Sequence, residues 1–435
     1  MLELFKKRNF SLFWFGEMIS VIGDQISLIA FPWLILQMTN SAALTGLVFA
    51  IQGIPRAVLM LAGGALVDRT SPRLVMIISN ALRMLLVMSL AYMISQDTAD
   101  ISTVFMMAFA FGVADAFFYP ASISILPSLV SRDELQAGNA IIQTTLHLGM
   151  TIGPFVAAFI IAGEIGSSAH SAELVVAEQA LSGYESDREG LARAFFIDGL
   201  TFALSLLSLL FVKVRPLNLE SSPTAGSSIY AEIRQASLWA WSIPAVRLGF
   251  IGMAVIHFFF MPMVFVGIPV WAKLHYAEGA YVYGVVTAAF GLGAFLGAIG
   301  SAYISSPGDQ KLIPMMFWSY VFSGSTLALI IFYDPYWWAM LLFFVSGIFE
   351  SFFYVHFTTW LQRITPHALL GRVMSILMLM SMGLLPIADA IMGFVIEWSL
   401  DAAMIGSGVF LMVVCGIIAL HPLAKVAVPP QPASA

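Results

Sequence analysis

Residues 63–73 read GGALVDRTSPR, and they place three charged side chains between two long apolar stretches. The charges belong to Asp68, Arg69 and Arg73, in a chain of 435 residues that is 60% hydrophobic and only 10% charged. Soluble domains usually contain about 25% charged residues and about 45–50% apolar ones, so the composition excludes an ordinary soluble protein. A charged turn in such a chain predicts a point where the polypeptide lies outside the membrane.

The apolar stretches on both sides of this turn are long enough to cross a bilayer. A transmembrane helix needs about 20 mostly apolar residues, and backbone polar groups in hydrocarbon must be satisfied within the segment, which favours helices. The sequence lacks the two-residue alternation that is typical of a membrane β-barrel. Five stretches contain no Asp, Glu, Lys or Arg: 135–163, 248–272, 279–308, 312–333 and 402–424. We therefore predict an all-α polytopic membrane protein.

The hydropathy pattern predicts twelve spans. They lie at about 11–37, 43–66, 73–94, 101–125, 137–162, 194–212, 247–271, 280–304, 312–332, 336–360, 373–396 and 402–421. Span 8 contains GLGAFLGAIG (291–300), whose small residues let neighbouring helices approach closely. Residues 163–193 are the one long loop on the outer side, and we expect them to be solvated.

A break in this rhythm at 214–246 divides the spans into two sets of six. Its beginning is rich in Ser, Pro and Gly, as in a flexible linker. Apolar residues at helical spacing from Ile229 to Trp241 predict a helix on the membrane surface. The predicted organisation is a six-helix bundle at 1–213, a linker at 214–246, a second six-helix bundle at 247–421 and a disordered tail at 422–435.

The basic residues predict which side of the membrane each loop occupies. Cytoplasmic loops carry an excess of Lys and Arg. With the N-terminus inside, the outer loops hold only Arg188, Arg193 and Lys273. The inner segments hold Lys6, Lys7, Arg8, Arg69, Arg73, Arg132, Lys213, Arg215, Arg234, Arg247, Lys311, Arg363, Arg372 and Lys425. Both termini are therefore predicted to be cytoplasmic, and the charged turn at 63–73 lies on the inner face.

The two sets of six spans carry traces of an internal repeat, as in many transporters. The segment VSRDELQAGNAI (130–141) can be laid over ITPHALLGRVMS (364–375) at an offset of 234 residues. At nearly the same offset Asp115 in span 4 corresponds to Glu350 in span 10, and Asp24 in span 1 corresponds to His257 in span 7. Two equivalent halves are the simplest explanation of these pairs.

Among the acids inside predicted spans, Asp24, Asp115 and Glu350 are the strongest candidates for function. A charge at the bilayer centre costs at least ~2.5–3.5 kcal/mol, so such residues face the bundle interior or a wet cavity. A carboxyl group held away from water can exchange a proton near neutral pH, as a proton-coupled transporter requires. The alternative is purely structural pairing, with Arg83 in span 3 and Arg56 in span 2 as countercharges.

Other candidates are weaker. Histidine is a side chain suited to proton exchange, which makes His257 and His356 candidates, but both can equally be hydrogen-bonded packing residues. Asp389 in span 11 is a minor candidate for coupling, and Asp198 is expected to lie close to the outer surface and to be solvated.

Enzymatic chemistry has little support in the sequence. No GxxxxGK[ST] loop for nucleotide hydrolysis and no HExxH metal-ligand spacing occur. Cys415 is the single cysteine, so neither an intramolecular disulfide nor a thiolate cluster can form. We expect no enzyme, no cofactor and no metal.

These features resemble the major facilitator transporters, in particular the twelve-helix drug:proton antiporter branch that contains macrolide and siderophore exporters. GGALVDRTSPR matches the loop 2–3 signature of that superfamily with Gly64, Asp68, Arg69 and Arg73. GMTIGPFVAA (149–158) in span 5 resembles the antiporter motif, which is carried by Gly149, Gly153 and Pro154. The Gly-Gly that usually follows this motif is Ala157-Ala158 here, and Ser122 stands where many relatives place Arg.

The resemblance implies alternating access around a cavity that is lined mainly by spans 1, 4, 7 and 10. The predicted proton-coupling and substrate residues are Asp24, Asp115, Glu350, His257 and Arg83. The loop 2–3 signature implies a conformational latch, in which Asp68 accepts hydrogen bonds from a helix N-terminus such as that of span 11.

The function implied is proton-coupled efflux of hydrophobic or amphipathic small molecules across a bacterial cytoplasmic (inner) membrane. The expected partners are the small-molecule substrate, protons and membrane lipid, and no nucleic acid. A dedicated exporter of one metabolite such as a siderophore, a lysophospholipid flippase and a non-transporting membrane sensor remain as alternatives.

Overall fold

The computed structural model describes residues 2–131, 134–162, 179–214, 229–303, 309–333, 335–366 and 369–425. Across these ranges the regular structure is helical. The helices are α1 (Arg8–Thr39), α2 (Ala42–Arg69), α3 (Pro72–Ser95), α4 (Ile101–Leu129), α5 (Leu135–Ala162), α6 (Gln179–Phe211), α7 (Ile229–Ser242), α8 (Pro244–Phe259), α9 (Ile268–His275), α10 (Gly279–Tyr303), α11 (Asp309–Leu329), α12 (Tyr336–Ile364), α13 (Leu370–Met378), α14 (Leu385–Trp398) and α15 (Leu400–Leu420).

Local sequence signals account for several helix ends. Asn40 ends α1 in the left-handed region at φ 52°, which asparagine tolerates better than most residues. Ser41 accepts a hydrogen bond from Leu44 N and caps α2. Pro72 is the first residue of α3, where its missing N–H and fixed φ are favourable. The α2–α3 connection is therefore Thr70–Ser71, which lies within the charged stretch 63–73 as predicted, while the first seven residues of that stretch form the end of α2.

Twelve helical segments within the described ranges are long and apolar enough to span a membrane, which confirms the predicted number. Two spans are each made of two helices joined by a π-helical turn, α8 with α9 through Met263–Gly267 and α13 with α14 through Leu379–Gly383. The π turn keeps the chain helical while it shifts the register of the following side chains. The amphipathic segment of the linker forms a helix, α7, as its spacing indicated.

The N-terminal end of α6 differs from the prediction. A solvated loop was expected over 163–193, but α6 begins at Gln179, so the second half of that stretch is helical. Its Asp187 carboxylate accepts hydrogen bonds from Trp33 Nε1 at 2.8 Å and from Gln37 Nε2 at 2.9 Å. The prediction was wrong there because the acids and arginines lowered the hydropathy of a helix that continues past the apolar segment. Residues 163–178 lie outside the described part.

Two compact units organise the chain. The first comprises Met1–Leu217 with Phe265–Ala288, and in it α1 packs along α5 and α6, α2 along α4, and α3 along α4 and α6. Lys273 Nζ donates a hydrogen bond to Leu36 O at 2.8 Å, and the rings of Trp33 and Tyr283 stack with centroids 6.3 Å apart. The C-terminal end of α1 thus contacts α9 and the start of α10.

The second unit comprises Asn218–Val264 with Ala289–Ala435. Here α11 packs along α12 and α15, while α8 packs against α14 and α15. The predicted bundle boundaries at residues 213, 246 and 421 stay predictions, and residues 215–228 and 426–435 lie outside the described part.

Glycine contacts support the predicted repeat. A Cβ on Gly112 of α4 would lie 2.0 Å from the backbone oxygen of Gln52 in α2. A Cβ on Gly347 of α12 would lie 2.1 Å from the backbone oxygen of Phe290 in α10. Both glycines stand three residues before the acid of their helix, so each half uses the same close helix approach at the same place.

Candidate functional site

Arg83 of α3 lies at the centre of a polar cluster in the first unit. Its side chain is fully buried, and the guanidinium carbon lies 3.9 Å from the Phe118 ring centroid and 4.4 Å from that of Phe202. These cation–π contacts place a charge in an otherwise apolar region. The aromatic rings hold the planar guanidinium in one orientation.

Two carboxylates face this guanidinium. Arg83 Nη1 lies 3.2 Å from Asp24 Oδ1 of α1 and 3.4 Å from Asp115 Oδ1 of α4. Asp115 Oδ2 also lies 3.2 Å from Arg56 Nη1 of α2. The structure thus confirms the predicted countercharges, and one arginine joins α1, α3 and α4.

The acids are more accessible than the arginine. Asp24 and Asp115 keep 32% and 19% of their side-chain surface accessible, whereas Arg83 keeps none. A proton or a cationic group can therefore reach the carboxylates while the guanidinium stays enclosed. This asymmetry suits a site where the acids exchange ligands and the arginine is fixed.

A polar chain behind Arg83 fixes its other nitrogen. Arg83 Nη2 donates to Asn80 Oδ1 at 2.5 Å, and Asn80 Nδ2 donates to Ser205 Oγ of α6 at 2.9 Å. Arg83 Nε is buried and has no hydrogen-bond partner within the described residues. The guanidinium thus keeps one unsatisfied donor, which makes its ion pairs with the acids more important for its burial.

Asp198 of α6 corrects a prediction. It was expected to be solvated near the outer surface, but it is fully buried, accepting hydrogen bonds from Ser27 Oγ and, at 3.2 Å, from Thr201 Oγ1. Gly23 of α1 makes room for it, since a Cβ there would lie 2.0 Å from Thr201 Oγ1 and 2.3 Å from Asp198 Oδ1. The distance from the helix end was misjudged because α6 begins 15 residues earlier than span 6 was placed.

Glu17 of α1 was missed by the sequence reasoning. Its side chain is buried, its Oε2 has no hydrogen-bond partner within the described residues, and it lies within electrostatic range of Arg83 and Asp115. Its position seven residues before Asp24, two turns along the same helix face, was the available signal. Asp198 also lies within electrostatic range of Asp24 and Arg83. The cluster then contains four carboxyl groups and two guanidiniums, namely those of Glu17, Asp24, Asp115, Asp198, Arg56 and Arg83. Full ionisation would leave two uncompensated negative charges.

Glu350 of α12 has a different setting in the second unit. It is partly buried and forms no ion pair with any residue that the structure describes. Tyr320 of α11 lies within electrostatic range of it, and the Tyr320 ring packs edge-on to Phe353 at 5.0 Å. Phe353 stands 235 residues after Phe118, the same offset as between Asp115 and Glu350, whereas the position that corresponds to Arg83 at this offset is Trp318. The repeat therefore keeps the acid and the aromatic ring but has no arginine at the corresponding place.

The histidines are engaged with their own helices. His257 Nδ1 lies 3.0 Å from Met253 O, and His356 Nδ1 lies 2.9 Å from Phe352 O. These contacts favour the packing alternative for both residues. Asp389 of α14 is buried, and its Oδ1 has no hydrogen-bond partner among the described residues.

The loop 2–3 signature is described only in part. The surroundings of Gly64 and the side chains of Asp68 and Arg69 lie outside what the structure describes. Arg73 donates to Leu209 O and Leu210 O, both at 2.8 Å, at the end of α6. A cation at a helix C-terminus satisfies carbonyls that lack helical partners, so Arg73 joins the start of α3 to the end of α6.

The antiporter motif forms close helix contacts. A Cβ on Gly149 would lie 2.3 Å from Val21 Cγ1, and one on Gly153 would lie 2.3 Å from Gln25 Cβ, so α5 packs tightly on α1. At the residue after Gly153, a Cβ on Gly284 of α10 would lie 2.8 Å from Pro154 O. The motif thus places α5 directly beside the helix that carries Asp24.

The sequence of this chain matches a known protein family. A family model described as "Major Facilitator Superfamily" matches residues 13–388. The multidrug efflux pump Tap of Mycolicibacterium fortuitum is 24% identical over 405 residues, which cover 92% of this chain and 90% of that protein. The multidrug efflux pump Tap of Mycobacterium tuberculosis strain H37Rv is 22% identical over 298 residues, covering 67% and 64%.

Solved structures agree on the fold. The nucleoside transporter NupG superposes with a TM-score of 0.66 at 13% identity and covers 94% of this chain and 98% of that one. A bacterial homologue of the iron transporter ferroportin in its inward-facing state superposes with a TM-score of 0.66 at 15% identity, covering 95% and 99%. At these identities the likeness concerns the fold alone: twelve spans in two six-helix bundles.

Proposed function

This chain belongs to the Major Facilitator Superfamily, and from that premise we propose that it exports hydrophobic or amphipathic small molecules in exchange for protons. It is a transporter and not an enzyme. The observation that carries the proposal is the Arg83 cluster, where Asp24 and Asp115 stay accessible beside a fully buried guanidinium. The relatives named as multidrug efflux pumps support export as the direction.

In this proposal the acids exchange protons against Arg83. Four carboxyl groups and two guanidiniums share the cluster, so protonation of one acid relieves repulsion among the carboxylates. A proton on Asp24 or Asp115 removes one of the ion pairs that hold α1 and α4 to α3. Proton binding thereby favours a rearrangement of α1 and α4, and the bundles alternate between inward and outward access.

The test is uphill transport in proteoliposomes under an imposed pH gradient, using a panel of lipophilic cations, a siderophore and a lysophospholipid. We expect Asp24→Asn and Asp115→Asn each to reduce the rate of gradient-driven transport at least tenfold, because the neutral amide cannot exchange a proton. The exposed Asp401→Asn is the matched control and should transport normally. Wild-type coupling in both cluster variants would refute the proposal. Transport of the siderophore or the lysophospholipid alone would identify a dedicated exporter.

A second prediction separates Glu350 from the cluster acids. Asp115→Asn breaks ion pairs with two arginines, whereas Glu350→Gln removes a partly buried charge that has no countercharge among the described residues. We expect Glu350→Gln to keep or raise the melting temperature and Asp115→Asn to lower it by several degrees. Thermal unfolding of the two purified variants in the same detergent measures this. A drop of equal size in both would contradict the assignment.

We also propose that the chain resides in a bacterial inner membrane with both termini in the cytoplasm. The excess of Lys and Arg in the inner segments supports this orientation. The single cysteine, Cys415, is fully buried, so it should not react with a membrane-impermeant maleimide. A cysteine introduced at exposed Lys425 should be labelled in inside-out vesicles, and one at exposed Glu278 in intact cells. Labelling in the opposite pattern would show that the termini lie on the other side of the membrane.

A further inference from the structure

Two cavities along α11 form an amphipathic trench in the second unit, one beside the turn that follows α15 and the other between α10 and α12. One end is a cavity of about 530 Å³ lined by Lys311, Pro314, Met315, Trp318 and Lys425. The other end is a cavity of about 380 Å³ whose lining is almost entirely apolar. Met315 and Trp318 line both cavities, so the two ends adjoin at these side chains.

The apolar end is open at the surface of the second unit. Trp318 and Phe322 of α11 line it and are 41% and 54% exposed, although both lie within a membrane span. Gly300 of α10 also lines it, and a Cβ on this residue would meet no atom within 4 Å. On the same helix, Gly297 is closely packed, since a Cβ there would lie 2.5 Å from Ile348 O. Gly300 thus leaves an open groove where its neighbour one turn earlier forms a helix contact.

The polar end carries two cations. Lys311 lies in the first turn of α11, and Lys425 ends the 3₁₀ turn Pro422–Lys425 that follows α15. Both are exposed, and neither forms an ion pair with a carboxylate that the structure describes. They are two of the residues that the positive-inside bias places at the cytoplasmic surface.

The dimensions match one leaflet. Lys311 and Phe322 are eleven residues apart on one helix, which corresponds to roughly 16 Å along the axis. The hydrocarbon core of a bilayer is about 30 Å thick, so this length reaches from the headgroup region to about the midplane. Trp318 lies between the two ends, with an indole N–H that can bond to a lipid ester carbonyl.

We propose that this trench binds an anionic glycerophospholipid of the inner leaflet. The phosphate lies between the ammonium groups of Lys311 and Lys425, and an acyl chain occupies the groove over Gly300 beside Phe322. Basic pockets at the cytoplasmic side of transmembrane helices are suited to anionic headgroups. This site does not involve the Arg83 cluster, and it requires only that the chain spans a membrane.

The experiment measures binding of dioleoylphosphatidylglycerol and dioleoylphosphatidylcholine to the purified full-length protein by native mass spectrometry. We expect preferential retention of the anionic lipid. Lys311→Gln/Lys425→Gln should weaken its binding about thirtyfold, because each lysine near an anionic headgroup contributes about fivefold. Gly300→Leu should weaken binding of both lipids because the leucine fills the groove. Its Cβ would meet no atom within 4 Å, so the substitution should not disturb the helix packing.

Matched variants control for charge and for bulk. Lys213→Gln removes an exposed lysine elsewhere, and Gly406→Leu adds the same side chain at another helical glycine whose Cβ would meet no atom within 4 Å. Both should bind the lipid like the wild type. Equal retention of the two lipids, or a wild-type affinity in the double lysine variant, would overturn the proposal.

A final arm separates the headgroup from the chain. Glycerol 3-phosphate at millimolar concentration should not displace the phospholipid, because it lacks the acyl chain that fills the apolar end. Complete displacement would indicate a soluble phosphate site and would also overturn the proposal. Since lipid binding is measured without a proton gradient, its outcome is independent of whether transport is proton-coupled.

Discussion

Arg83→Met is expected to be the most damaging single substitution in the first unit, with a loss of about 3–5 kcal/mol in stability. The methionine leaves Asp24 and Asp115 without the guanidinium that lies 3.2 and 3.4 Å from them. At roughly 2–4 °C per kcal/mol for a domain of this size, the melting temperature should fall by about 10 °C. Gradient-driven transport should also be lost. Thermal unfolding and the proteoliposome assay measure the two effects.

Two further variants identify the cause of that loss. Arg193→Met changes an exposed arginine of α6 and should leave both stability and transport near wild type. Arg83→Met combined with Asp24→Asn and Asp115→Asn removes the guanidinium together with its two ion-paired carboxylates, so it should regain part of the melting temperature while transport stays absent. A single Arg83→Met variant that melts and couples like the wild type would show that the cluster has neither role.

Gly112→Ala is the second substitution with a large expected effect. Its Cβ would lie 2.0 Å from the backbone oxygen of Gln52 and 2.8 Å from the carbonyl carbon, and helix backbone cannot yield as a side chain can. The overpacking should cost about 1–3 kcal/mol or more. Because Arg56 and Asp115 lie one turn further along the same two helices, separation of α2 from α4 also lengthens their 3.2 Å ion pair. We expect transport to fall as it does in Asp115→Asn.

The controls for this prediction come from other glycines. Gly406→Ala should be neutral, since a Cβ there would meet no atom within 4 Å. Gly347→Ala, at the corresponding place in the second unit, should lower stability by a similar amount because its Cβ would lie 2.1 Å from Phe290 O. Its effect on coupling should be smaller, because no arginine is paired with Glu350 there among the described residues. An unchanged melting temperature for Gly112→Ala would contradict the close approach of α2 and α4.

Much of this architecture could be predicted from the sequence because the membrane imposes simple requirements on it. Length and the absence of charge are sufficient to locate twelve spans, and the rarity of charge made Asp24, Asp115 and Arg83 visible as a set. The mutual arrangement of those three side chains depends on helix rotation, which hydropathy does not encode. The role of each acid in coupling stays a prediction.

The errors have physical causes. Asp198 was assigned to the outer surface because the polar first turns of α6 hid the true start of the helix. Glu17 was overlooked because its span begins near a basic N-terminus, where an acid looks like an interfacial residue. In both cases residues of neighbouring helices enclose the acid: Gly23 of α1 lies beside Asp198, and Arg83 of α3 lies near Glu17. Such surroundings are determined by packing, and no single segment reveals them.

The pairing of Arg83 with Asp115 also has a consequence for biogenesis. These residues lie on α3 and α4, which are consecutive and separated by only five residues. Each isolated charge would cost at least ~2.5–3.5 kcal/mol at the bilayer centre, so a helical hairpin that leaves the translocon as one unit brings in a charge and its countercharge together. Asp24 is synthesised almost sixty residues before its arginine. Asp24 on the first helix therefore has no arginine partner until α3 has been synthesised. Insertion of the α3–α4 hairpin is then the step that supplies α1 with its countercharge in the membrane.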